Sequence, residues 1–272
     1  MSRALAVFHG LFGRASVYQL NRPFSTHAHR EGHLIFQVGG TPAGIRVCEI
    51  DHALGEDAVV AVNPWEPHNF APTDVDDGAL FFVLYVNAEW FAPQGPAGRS
   101  LSFGCARIRR TPSLARHVER AASLVCGAPS LTGLDRELRA LIAACHEESW
   151  AQTGAAPPPE RVTDFRVRRS IRLMSQAPSA EVALDDIARH SGLSRPHFYR
   201  LFHAQTGVTP NLYLNTLLME KALDNVASRD APMADIASEL GFSSQSAFTR
   251  FFAGHVGMAP TAYRRAVKVL RA

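Results

Sequence analysis

No stretch of this sequence reaches the ~18 consecutive apolar residues that a membrane-spanning helix needs. The first ten residues soon run into charged and polar positions, so a secretory apolar core is not expected there. Cysteine is scarce. The four present (Cys48, Cys105, Cys126, Cys145) lie far apart with no C-x-x-C pair, which argues against a disulfide framework or a thiolate zinc site. Lysine is missing altogether from residues 1–160. There is also no Ser-His-Asp pattern, no glycine-rich phosphate loop and no H-E-x-x-H. These absences predict a soluble, cytoplasmic protein with no membrane partner.

What is there is an ordinary globular balance, 46% hydrophobic and 19% charged over 272 residues. At roughly 150 residues per domain this predicts about two domains. The formal net charge of +3 hides a division. Residues 1–160 carry 13 Arg against 16 acidic residues, whereas residues 161–272 carry 15 Lys and Arg against 9. One half is therefore suited to a polyanion and the other is not.

Between the halves runs a Pro-rich segment, Thr153-Gly154-Ala155-Ala156-Pro157-Pro158-Pro159, which cannot continue a helix. The predicted organisation is residues 1–152, a linker at 153–162, and residues 163–272. Within the first part, the runs at 34–38, 44–50, 58–62 and 80–86 read as short strands broken by Gly and Pro turns, so a barrel or sandwich is expected over about 1–110. From residue 112 to about 150 the period changes to helical. Leu114, Val118, Ala121 and Val125 share one face, as do Leu134, Leu138, Leu141 and Cys145. Two helices turning at 127–133 form the predicted hairpin, packed on the barrel or serving as a dimer interface.

The second half repeats itself. Ile187-Ala188, Gly192-Leu193-Ser194, Phe198, Arg200, Phe202, Gly207, Pro210 and Tyr213 return as Ile236-Ala237, Gly241-Phe242-Ser243, Phe248, Arg250, Phe252, Gly257, Pro260 and Tyr263. The offset is 49 residues through the serine and 50 from the phenylalanine onward, so the second copy has gained one residue. Each copy reads as a short helix, a glycine turn and a second helix, which is a helix-turn-helix. Ser194, and Ser243 or Ser244, are the predicted N-caps. Phe198, Leu201 and Phe202 face inward, as do Phe248, Phe251 and Phe252. The outward face then carries Arg195, Tyr199 and Arg200 in one copy and Gln245, Ser246, Thr249 and Arg250 in the other. These residue types suit base edges and phosphates. A helix over about 213–228 would hold the two units at a fixed separation, as reading successive major-groove turns requires.

Residues 165–268 resemble the double helix-turn-helix DNA-binding domain of the AraC/XylS family of bacterial transcription regulators. The residues that carry the resemblance are the repeated ones together with Leu184, Leu214 and Ala222. The resemblance implies DNA contacts from Pro196, Tyr199 and Arg200 and from Gln245, Ser246, Thr249 and Arg250. Pro196 has no donor and offers only apolar contact. One departure is Leu218, where the family carries Arg or Lys; it implies loss of one polar or phosphate contact.

Six of the 12 histidines fall in the first 70 residues. His27 and His29 stand at i and i+2, on one face of an expected strand, and His33 follows four residues on. His68 lies about 40 residues beyond His27 and His29, after Trp65. This arrangement resembles the two motifs of a cupin barrel, with His33 where metal-binding cupins carry glutamate. The fold class that follows is α+β: an N-terminal cupin-like β-barrel with a helical hairpin, and a C-terminal all-α domain.

Three readings of the histidines stand open. His27, His29, His33 and His68 form a site for a divalent transition metal; or they bind a small-molecule effector against Trp65 without any required cofactor; or they are satisfied locally. The function expected is a non-enzymatic, sequence-specific regulator, an activator, that binds double-stranded promoter DNA under effector control. RNA polymerase and a second copy of the chain are expected partners. The alternative is a metal-dependent cupin enzyme with an accessory helical module.

Overall fold

The computed structural model of the chain describes residues 2–72, 78–91, 101–127, 131–153 and 162–269. The β half contains β1 (Arg3–Gly10), β2 (Gly13–Leu20), β3 (Gly32–Gly40), β4 (Ala43–Val47), β5 (Ile50–Leu54), β6 (Ala58–Val62), β7 (His68–Pro72), β8 (Ala79–Val86) and β9 (Arg107–Arg109). A short α1 (Ala88–Phe91) follows β8. The strands form two sheets, in the orders β10-β1-β2-β8-β3-β6-β9 and β5-β4-β7, where β10 is Val267–Val269 from the far end of the chain. Among the described residues the larger sheet is not closed on itself, so the expected barrel is an open, cupin-like jelly roll.

The apolar runs are continuous because both faces of the large sheet are covered. In β8, Phe81 and Val83 point between the sheets while Phe82, Leu84 and Val86 point to the other side; in β6, Val60 and Val62 oppose Val59 and Ala61. On that other side lies the expected hairpin, α2 (Pro112–Cys126) and α3 (Leu131–Thr153). Thr111 caps α2 by accepting from the Leu114 amide at 3.3 Å.

Two local expectations need correction. The run at 44–50 is not one strand: Cys48 takes φ +53, and the chain reverses there from β4 into β5. The segment carrying His27 and His29 is not a strand either. It is irregular chain joined to β7 by a single antiparallel bridge, His27 to His68, with amide–carbonyl bonds of 3.0 and 2.9 Å. Most of the expected linker (154–161) lies outside the described residues.

The helical half contains α4 (Phe165–Gln176), α5 (Leu184–His190), α6 (Arg195–Thr206), α7 (Pro210–Ser228), α8 (Met233–Glu239), α9 (Gln245–Val256) and α10 (Pro260–Ala266). Helices α5–α6 and α8–α9 are the two helix-turn-helix units, and α7 joins them. The first unit has its own core of Leu184, Ile187, Phe198, Phe202, Tyr213 and Leu217, closed by Val167 and Met174 of α4. The second unit does not: Ile236, Phe248, Phe252 and Tyr263 pack into one cluster with the space between the two sheets. The last strand completes this join, with β10 pairing parallel to β1 in the register Val7 to Val267.

Candidate DNA interface and ligand pocket

The two recognition helices are built alike. Phe198 and Phe202 of α6, and Phe248 and Phe252 of α9, are fully buried, which leaves the opposite face to solvent. Leu201 and Phe251, also expected inward, are only half-buried. Arg200, Gln245, Ser246 and Arg250 are exposed, and neither Arg200 nor Arg250 forms an ion pair among the described residues. Pro196 is exposed in the first turn of α6. Tyr199 and Thr249 are half-buried. Arg195 already has a partner, Asp185, at 2.9 Å. Leu218 is 3% exposed, packs in the core beneath the second unit and also lines a polar groove with Arg195, Tyr199 and Asn215.

Caps and turns show how the repeat works. Ser244, at the N-cap of α9, accepts from the Ala247 amide at 3.1 Å. Ser194 holds the matching position on α6, yet its hydroxyl makes no cap bond. The inserted residue is thus Ser243, ahead of the cap. Both recognition helices end on a left-handed glycine, Gly207 with φ +75 and Gly257 with φ +76. At Gly207 an added Cβ would meet open space, whereas at Gly257 it would run into the Phe24 ring.

A pocket lies where the β half meets α7 and α9. Its polar wall is formed by Arg14, His27, His29, His33, His68 and Tyr85; Met219 and Leu223 of α7 and His255 and Val256 of α9 close it. The four β-half histidines are buried, with ring centroids 4.3 Å apart for His27 and His68 and 4.5 Å for His33 and His68. Burial is the main cause that holds all four well below the ordinary histidine pKa, and neighbouring imidazoles add to it; they are neutral. The Arg14 guanidinium lies 3.7 Å from the centre of the Tyr85 ring and has no carboxylate partner among the described residues. Beside it, His9 Nε2 meets Tyr263 Oη at 2.9 Å, and burial first, then Arg14, lowers the His9 pKa to about 3.

Trp65 is not a wall of this pocket. The turn before β7 gives it φ +66, and its ring stacks flat on Tyr213 of α7, with centroids 4.1 Å and planes 6° apart. It braces the β half against the first unit. Arg14 and His255 were not anticipated, because a lone Arg in a strand and a lone His in a helix carry no local signal.

The helix-turn-helix domain family matches residues 187–266. The probable transcription factor PqrA of Proteus vulgaris is 35% identical over 83 residues, 30% of this chain and 68% of that protein. The chain belongs to the AraC family of transcription regulators. Within the AraC family it is also similar to the probable transcriptional regulator LumQ of Photobacterium leiognathi, at 33% identity over 84 residues, 31% of this chain and 34% of that protein. It spans about a third of the length of the first curated relatives it matches. ToxT of Vibrio cholerae, solved with an unsaturated fatty acid bound, superposes with a TM-score of 0.63 at 13% identity over 92% of this chain and 94% of that one. The AraC-family chain and ToxT therefore share both parts of the fold. No helix among the described residues is long and apolar enough to cross a membrane.

Proposed function

We propose that this chain is a sequence-specific DNA-binding transcription regulator whose engagement with promoter DNA is set by a small effector in the pocket between the β half and α7–α9. The observation that carries this reading is the shared wall. His27, His29, His33 and His68 face the same cavity as His255 and Val256 of α9, so an occupant touches a recognition helix directly. A ligand that binds one arrangement of that wall better than another shifts the second unit by its difference in affinity. ToxT, with its bound fatty acid, supports a small ligand in a protein of this fold. The relatives named above are regulators, which favours a regulator over the metal-dependent enzyme.

Arg200, Gln245, Ser246 and Arg250 are the central contacts in this reading, flanked by Arg195, Pro196, Tyr199 and Thr249. Following the family, we assign the chain as a cytoplasmic activator that touches RNA polymerase, with the α2–α3 hairpin as the surface for a homodimer. The test is a binding titration of the full chain on its cognate promoter and on random DNA. Arg250→Ala should cost about 1–3 kcal/mol on the cognate site only, and log affinity should fall steeply with log salt. Equal loss on both DNAs would reduce Arg250 to a phosphate contact. A flat salt response would refute DNA binding.

A further inference from the structure

Two of the pocket histidines are held in place by backbone carbonyls. His27 donates from Nδ1 to the Ser25 carbonyl and His68 from Nδ1 to the Glu66 carbonyl, each at 2.8 Å. A carbonyl only accepts, so both Nδ1 atoms carry the proton and both Nε2 atoms keep a free lone pair. Holding an imidazole by its far nitrogen is the outer-shell arrangement of metal-ligating histidines. Nε2 of His68, Nε2 of His29 and Nδ1 of His33 are fully buried with no hydrogen-bond partner. One donor atom from each of His27, His29 and His68 falls within 4.8 Å of the others. Tetrahedral imidazole ligation at ~2.0–2.1 Å needs donors ~3.4 Å apart, which small ring rotations supply.

Size and chemistry narrow the occupant. The cavity measures about 60 Å³, room for an ion and a few waters, since one water takes roughly 10–15 Å³ on this measure. The donors are imidazoles with no carboxylate or thiolate among them. Such a set suits Zn, Cu, Ni or Fe and not calcium or magnesium. Neutral ligands leave the ion's charge uncompensated beside Arg14, so its remaining position suits an anion, hydroxide in the simplest case.

The site also sits at a mechanical junction. Residues 24–30 carry two of the donors and are gripped by the helical half. The Ser25 amide donates to the Gly254 carbonyl at 2.9 Å, Thr216 Oγ1 donates to the Ala28 carbonyl at 3.1 Å, and Arg30 pairs with Glu220 at 2.5 Å. His33 and His68 belong to β3 and β7. Resting on the regulator reading above, we propose that His27, His29 and His68, with His33 as a fourth donor, bind a divalent transition-metal ion, and that this ion is the regulatory signal. It pins residues 24–30 to the sheets and so fixes the seat of α9.

The test uses the full chain, stripped of metal and titrated with cobalt(II) and with zinc(II). One equivalent per chain is expected, with the visible bands of low-symmetry, four-coordinate cobalt. His29→Gln and His68→Gln, checked for folding by circular dichroism, should weaken binding at least tenfold. Zinc should also change the affinity of the unmodified chain for its promoter. Less than one equivalent at ~10 μM free ion (the weak end of sensor affinities), or variants that bind like the parent, overturns the site. Stoichiometric binding with unchanged DNA affinity overturns the signal. A chain that binds metal but no DNA sinks the regulator reading while leaving the metal site standing.

Discussion

Trp65 offers a graded test of how the β half holds the first helix-turn-helix unit. Its indole stacks on Tyr213 at 4.1 Å, the planes nearly parallel, and is itself half-buried. Such a pair contributes ~0.5–1.5 kcal/mol beyond burial. Half of a Trp surface, about 100 Å² at ~25 cal/mol per Å², adds ~2.5 kcal/mol. Trp65→Ala should therefore cost about 3–4 kcal/mol. The backbone adds a second handle, because φ is +66 and an L-residue held there is strained by ~1–2 kcal/mol. Glycine relieves that strain, and its amide still donates to the His29 carbonyl as the Trp65 amide does at 2.8 Å. Trp65→Gly should thus be milder than Trp65→Ala by about 1 kcal/mol, despite removing more side chain. Urea titration followed by circular dichroism at 222 nm reads the order directly; at an m-value near ~3 kcal/mol/M, alanine moves the midpoint down by about 1 M. If alanine is the milder change, the positive-φ argument fails. If both variants stay within ~0.5 kcal/mol of the parent, the stack does not brace the interface.

Two further pairs separate causes in the same way. Gly257→Ala and Gly207→Ala impose the same left-handed strain of ~1 kcal/mol, but only the first drives a methyl into the Phe24 ring. Gly257→Ala should lower thermal stability by ~1–3 kcal/mol more than Gly207→Ala, and equal losses would show that Phe24 gives way freely. At the helix starts, Ser244→Ala should cost ~1 kcal/mol through the lost bond to the Ala247 amide. Ser194→Ala should change little, since its hydroxyl makes no such bond; the same melting curves decide, and a larger loss at Ser194 would contradict the geometry.

Local pattern carried much of this architecture into view. The strands at 58–62 and 80–86 were legible because apolar runs bounded by turns persist wherever two faces are buried. The duplicated unit was legible because its phenylalanines, glycines and prolines recur at fixed offsets. The gathering of His27, His29, His33 and His68 followed from motif spacing. What escaped depends on distant contacts. Arg14 and His255 join the pocket from elements more than 200 residues apart, and nothing near either one marks it. Trp65 was placed on the wrong side because a single positive φ turns its ring outward. The strand Val267–Val269 is too short to announce itself, and its partner lies at the other end of the sequence.

The shared core has a consequence for how this chain comes apart. A cooperative unit is defined by the contacts it must lose together, and these do not follow the usual line between sensor and DNA-binding domain. The first helix-turn-helix unit has a core of its own, joined to the β half through the Trp65–Tyr213 stack, and can open as a foldon once that stack parts. The second is one foldon with the sheets, from Val7 through Phe252 and Tyr263. The border of independent opening thus passes through the middle of α7, between Leu217 and Leu218.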